Sequence, residues 1–322
     1  LSPEDARARA GDLAGLYERL LASGEQVEVR TFHAWFAQLM RAAPLQWLER
    51  LGLAPEAQLL EDTSELQGPA WREWLDRVHA DPALREDLAA LMREHSGSRV
   101  REWLLGLIDK RVEFALADAA GSLAASVPSA AQWRPAFAGL DHPAQRLRHP
   151  AVTDTLRAVA RSLGAQDKGT ARKAAQALEE ALSLEDDAAA LAAARSALLT
   201  TNGSVRKHLE APGLEEAAAW LDEIQQGMAQ ETAHREHQRL TRLGRVLLEV
   251  YEAIKRRRGL ADMADLERCA LALLGNDSLA AWMQERLDAR VSQVLIDEFQ
   301  DTNPLQWQAL SHWLSSYAGA SG

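Results

Sequence analysis

Residues 291–302 read VSQVLIDEFQDT, and the reading of this stretch decides the fold. Val294, Leu295 and Ile296 form a short apolar run, which predicts a buried strand of a parallel sheet. Asp297 and Glu298 follow where that strand ends. Ligands of open α/β sheets bind outside the carboxyl ends of the strands. Two adjacent carboxylates suit a Mg²⁺–nucleotide there: one holds the metal, directly or through water, and the other orients or deprotonates an attacking water. The plain alternative is an acidic strand-to-helix turn without a ligand. Asn303 and Pro304 then open a helix with Pro in its first turn, and Leu305, Ala309 and Trp313 recur at helical spacing.

An apolar run followed by Asp-Glu is a weak pattern, but the full string DEFQDT is specific. It resembles motif II of the UvrD/Rep group of superfamily 1 DNA helicases. Two further segments resemble the same group, in the group's own order. Residues 29–44, VRTFHAWFAQLMRAAP, follow a short alternating strand at Val27 and Val29 and resemble motif Ib. Residues 251–274, YEAIKRRRGLADMADLERCALALL, resemble the segment preceding motif II in UvrD, RecB and AddA helicases, with Met263 where Phe is usual. The long stretch between the first and last motif favours the RecB/AddA-like branch, whose accessory domain is expanded.

The resemblance implies a mostly α protein with a small α/β part. Residues 1–45 and 239–322 would form an incomplete, parallel-sheet RecA-like domain (1A), and residues 46–238 a large helical insert (1B). It implies ATP and Mg²⁺ as cofactors. Asp297 would hold Mg²⁺, Glu298 would position or activate the hydrolytic water, and Gln300 would sense the γ-phosphate or couple it to DNA. Asp301 and Thr302 would fix the loop and cap the next helix. Thr31 and His33 would contact a phosphate or sugar of single-stranded DNA, with Phe32 or Trp35 near a base. On the residues alone, Thr31 serves equally as a helix cap, and Phe32 and Trp35 as core.

The function implied is an ATP-driven single-stranded DNA translocase and helicase of 3′-to-5′ polarity in DNA repair or recombination. Its partners would be single-stranded or duplex DNA and a nuclease or helicase subunit. No G-x-x-x-x-G-K-[ST] string occurs, so nothing here cradles β- and γ-phosphates. The chain is therefore expected to be an interior fragment, inactive alone, of an enzyme whose P-loop lies upstream. The alternative from another class is a helical protein- or DNA-interaction module carrying a degenerate ATPase remnant.

Composition agrees with a helical protein. The chain of 322 residues has a hydrophobic fraction of 47% and few β-branched residues. A net charge of −11 excludes a uniformly basic nucleic-acid binder, so any DNA contact must lie in a local groove. The lone cysteine, Cys269, excludes a disulfide framework and fits a reducing cytoplasm. No apolar run is long enough to span a membrane.

Outward from the motifs, residues 44–238 read as successive helices. Helices are expected at 152–163 and 168–184, an irregular stretch at 126–150, a turn at 200–203 and a long helix at 215–258. That helix ends in Lys255, Arg256, Arg257 and Arg258, which either complement the helix dipole or touch DNA phosphates. Asp262 and Asp265 are expected to be caps. His234 and His237, near Glu231, lack a full zinc ligand set and read as solvated helix histidines. Trp47, Trp74 and Trp103 sit on leucine-rich faces and read as core.

Overall fold

The computed structural model describes residues 30–276, 296, 297 and 299–318, together with positions 15, 18, 19, 22 and 279. In chain order the elements are α1 (Phe32–Ala42), α2 (Leu45–Leu51), β1 (Gln58–Leu60), α3 (Ser64–Ala80), α4 (Pro82–Glu94), α5 (Gly97–Asp109) and α6 (Arg111–Ala119). Two short helices follow, α7 (Ser122–Ala125) and α8 (Ala130–Trp133), then 3₁₀ turns at Pro135–Phe137 and Pro143–Arg148. The remainder is α9 (Pro150–Gly164), α10 (Gly169–Ser183), α11 (Asp187–Leu198), α12 (Leu214–Arg258), β2 (Leu260–Asp262), α13 (Met263–Leu274), a 3₁₀ turn at Phe299–Asp301 and α14 (Pro304–Ala318). The protein is mostly helical, and its sheet, among the described residues, has two parallel strands.

The chain divides into two compact units: Leu1–Thr63 with Ala253–Gly322, and Ser64–Glu252. In the first, Phe36, Leu39 and Met40 of α1 pack with Leu266, Cys269, Ala270 and Leu273 of α13 and with Ala309, Leu310 and Trp313 of α14. The spacing in each helix is the 3–4-residue repeat of an apolar face. β1 and β2 pair in register, Gln58 with Leu260 and Leu60 with Asp262. Neither strand was expected, and both are too short for an alternating pattern. Gly259 turns the chain from α12 into β2 at φ +62°, a conformation that favours glycine.

The second unit holds an alanine- and leucine-rich core. Leu156, Val159 and Leu163 of α9 meet Ala171, Ala175 and Leu178 of α10, Leu191 and Leu198 of α11, and Leu221 and Ile224 of α12. Small alanines let these helices approach closely. Asp81, Ser96 and Asp186 start α4, α5 and α11 by accepting backbone N–H bonds from their first turns. The irregular stretch is present as short helices and 3₁₀ turns, and α12 runs almost as its sequence predicts.

Several expectations change. His234 and His237 are not simply solvated: His234 Nδ1 lies 2.6 Å from the Val127 carbonyl, and His237 Nε2 lies 2.7 Å from that of Leu123. Gln230 donates to the Pro128 carbonyl at 2.6 Å, and Glu231 accepts from the Ala130 N–H at 3.1 Å. One face of α12 thus satisfies backbone groups of residues 123–130, in α7, at the start of α8 and in the link between them. Trp74 is core and donates to the Leu243 carbonyl at 3.1 Å. Trp47 and Trp103 are only half-buried; the Arg50 and Arg99 guanidiniums cover their rings at 5.3 and 5.1 Å.

Candidate functional site

Ile296 is half-buried and packs against the first unit's core. Asp297 comes next in a bend, and its side chain is exposed. Gln300 is exposed in the following 3₁₀ turn. The Thr302 N–H donates to the Phe299 carbonyl at 3.1 Å and closes that turn. The predicted strand at 294–296 lies outside the described residues except for Ile296, and so does Glu298.

Asn303 starts α14. Its Oδ1 accepts from the Gln306 N–H at 2.9 Å, and its own N–H donates to Gln306 Oε1 at 3.4 Å. This reciprocal pair is a capping box, which fixes where the helix begins after Asp297. Both side-chain amides then turn to one acceptor. Asn303 Nδ2 and Gln306 Nε2 each donate to Glu267 Oε1 at 2.7 Å. Glu267 sits on α13 with only 6% of its surface exposed. The same oxygen lies 3.4 Å from His33 Nε2 on α1.

Thr31 is the N-cap of α1, its hydroxyl accepting from the Ala34 N–H at 3.2 Å, and it remains exposed. His33 keeps 36% of its side chain exposed beside it. Phe32 and Trp35 are half-buried and belong to an aromatic cluster. Phe32 lies 5.8 Å from Phe36, and Trp35 meets Trp313 edge-on at 5.3 Å. Packing thus accounts for most of both rings.

In the same unit Lys255, at 1% exposure, donates to Asp262 Oδ2 at 3.0 Å and to Asp265 Oδ2 at 2.6 Å. The two aspartates also form the capping box of α13. Lys255 therefore leaves the basic cluster read at the end of α12 and becomes an internal strut; Arg256, Arg257 and Arg258 stay exposed. Burial, aided by the Asp265 carboxylate, pushes the Cys269 thiol up to about 12, so it is not a nucleophile at neutral pH.

Sequence reading missed Glu267 and placed Lys255 in the wrong group. Both carry a signal in hindsight: each is a charged residue within an apolar stripe. Glu267 stands in line with Ala270 and Leu274, and Lys255 with Leu248 and Tyr251. Charges at such positions are paired when buried.

Residues 10–317 match the family model described as the UvrD/REP helicase N-terminal domain. The chain belongs to that family. Its curated relatives include proteins named as a subunit of an ATP-dependent helicase/nuclease. The one from Desulfitobacterium hafniense (strain DSM 10664 / DCB-2) is 42% identical over 60 residues, 19% of this chain and 4% of the relative. Those from Latilactobacillus sakei and Enterococcus faecalis are 40% identical over 88 residues and 33% over 81 residues. These matches span 27% and 24% of this chain, and 9% and 6% of the relatives. The matches thus cover a small part of the relatives' length. No solved structure matches the chain significantly.

A single exposed carboxylate such as Asp297 matches what a nucleotide-bound Mg²⁺ takes from a protein. Among the described residues, no group of three His, Cys, Asp or Glu side chains gathers to hold a metal. Mg²⁺ commonly takes one or two carboxylates, with water and substrate phosphates completing its shell. Nor is any described helix long and apolar enough to cross a membrane.

Proposed function

We propose that this chain is an interior part of the first motor domain of an ATP-dependent, single-stranded DNA translocase and helicase of the RecB/AddA-like branch. The observation that carries the reading is the exposed Asp297, presented directly after the core-packed Ile296, in a chain matching the helicase family almost throughout. The unit holding Asp297 is built from both ends of the sequence, with the helical unit inserted between them. That order supports a RecA-like domain 1A at residues 1–45 and 239–322, with a 1B insert at 46–238.

Asp297 would hold Mg²⁺, directly or through water. Glu298 would orient or deprotonate the hydrolytic water, and Gln300 would sense the γ-phosphate or couple it to DNA. Bound Mg²⁺ would offset the charge that develops on the phosphates during transfer. Thr31 and His33 contact the DNA backbone, and the exposed edge of Phe32 lies beside a base. The relatives' name supports a nuclease or helicase partner for the full-length protein. Its place in DNA repair or recombination and its 3′-to-5′ polarity rest on the motif resemblance.

ATP turnover by the full-length protein, with and without single-stranded DNA, tests the reading. DNA should stimulate turnover, and Glu298→Gln should lower it by roughly 10²- to 10⁴-fold, the range for losing a general base. Unchanged turnover in that variant would overturn the assignment. The present chain alone should hydrolyse no ATP, because it carries no phosphate cradle. The gene sequence on either side separates this reading from the interaction module. A Gly-Lys-Ser/Thr loop upstream supports the motor, and its absence supports the module.

A further inference from the structure

Glu267 lies where two otherwise separate segments meet. One is the start of α1, with Thr31 and His33; the other is the start of α14, six residues beyond Asp297. Two donors from these segments converge on the single oxygen Oε1, the Asn303 and Gln306 amides at 2.7 Å, and His33 Nε2 stands 3.4 Å from the same oxygen. A carboxylate with so little exposure needs such donors, since an unpaired buried charge is costly. Two arms are short and share the capping box that sets the start of α14. The third is long for a hydrogen bond and ends on a half-exposed imidazole.

We propose that Glu267 is a positioning residue that couples nucleic-acid contact at His33 to the turn carrying Asp297. The inference rests on the helicase reading above and deepens it. A backbone phosphate of single-stranded DNA, accepting a hydrogen bond from His33, fixes the ring whose Nε2 stands 3.4 Å from Glu267 Oε1. Asn303 and Gln306 share that oxygen, so any tightening of the His33 arm acts on the cap that anchors the start of α14. The nucleotide side acts on the same cluster in reverse, as linkage between two sites requires.

The test uses full-length protein and an oligothymidylate. Turnover is measured without DNA and across a DNA titration for the wild type, Glu267→Gln, His33→Ala and the double variant. Glu267→Gln keeps an acceptor for the two amides but removes the charge facing His33. It should leave DNA-independent turnover and Tm near wild type, while lowering the DNA-stimulated ratio by roughly fivefold or more, the scale of ordinary coupling. The double variant should be no worse than His33→Ala, because both changes break one interaction.

A wild-type enzyme without DNA stimulation would sink both the helicase reading and this inference. A stimulated wild type whose Glu267→Gln variant keeps its full ratio would sink the coupling alone. So would equal losses with and without DNA, or additive losses in the double variant, since these mark a purely structural role. If Glu267→Gln fails to fold, Asn303→Asp serves instead. It keeps the cap acceptor but sets a second carboxylate against Glu267, and a retained DNA-stimulated ratio would again overturn the coupling.

Discussion

The two units solve the same problem, holding helices together, with a different balance of chemistry. The unit Ser64–Glu252 has a core of Leu, Val, Ile and Ala. It holds charge pairs as well: Arg242 grips the largely buried Asp87 with two hydrogen bonds of 2.7 Å, Arg245 grips Asp118 at 2.8 and 2.6 Å, and the buried Arg111 pairs with Glu252 at 3.4 Å. The unit carrying Asp297 buries charge more completely, with Lys255 between Asp262 and Asp265 at 1–3% exposure, and Glu267 under the Asn303 and Gln306 amides with His33 beside them. Buried ion clusters add little net stability over apolar packing, yet breaking one is expensive. The contrast is one of degree: the elements flanking the candidate site are held by deeply buried charge pairs in addition to their apolar core.

Removing one partner of the buried triad should give the largest loss. Lys255→Met should destabilise the first unit by roughly 3–5 kcal/mol, because two carboxylates are left facing each other. Denaturant melts report the loss, and hydrogen exchange should locate it in α13 and β2. A cost below about 1 kcal/mol would place Lys255 among ordinary surface charges and erase the contrast.

In the second unit the comparable injury is a cavity. Leu178→Ala, at a fully buried site on α10, should cost roughly 2–5 kcal/mol. Its exchange signature should fall on α9, α10 and α11 rather than on α13.

A smaller effect is expected at Gly227. A Cβ there would come within 2.8 Å of the buried Phe137 ring. Gly227→Ala should therefore cost roughly 1–3 kcal/mol, as overpacking does, and Phe137→Leu in the same chain should recover part of it.

The mildest effect is on acid stability. The hydrogen bond from Arg245 holds the Asp118 carboxyl below its ordinary range. At Glu231 desolvation acts upward, but the Ala130 N–H and Arg235 outweigh it, and its carboxyl too is lowered. A carboxylate whose folded pKa is depressed stabilises the fold above its unfolded pKa, about 4, and that contribution fades as pH falls through the folded value. Acid titration should therefore loosen the α12 contacts to α6 and α8 only below about pH 4. Asp118→Asn should flatten that part of the stability curve, and an unchanged curve would show that the pair contributes nothing.

Helix content was legible because its signals are local. Asp262 and Asn303 each bond within three residues of themselves, so the starts of α13 and α14 follow from short strings. The α12 stripe at Leu243, Leu247, Val250 and Ile254 likewise fixed a long helix. The motif strings pointed to Asp297 and Thr31 as candidates, and both stand exposed. The rest depended on partners far away in the chain. The carbonyls that receive His234 and His237 lie more than a hundred residues earlier, and no local pattern announces them.

By itself, then, the sequence determined the helices, their caps and the family motifs, because propensity, periodicity and capping act over a few residues. Only the tertiary structure decided that Gln58–Leu60 pairs with Leu260–Asp262, that Lys255 turns inward, and that His33, Asn303 and Gln306 share Glu267. Three-residue strands hold too little periodicity to be read, and a buried charge is tolerable only once folding has brought its partners to it.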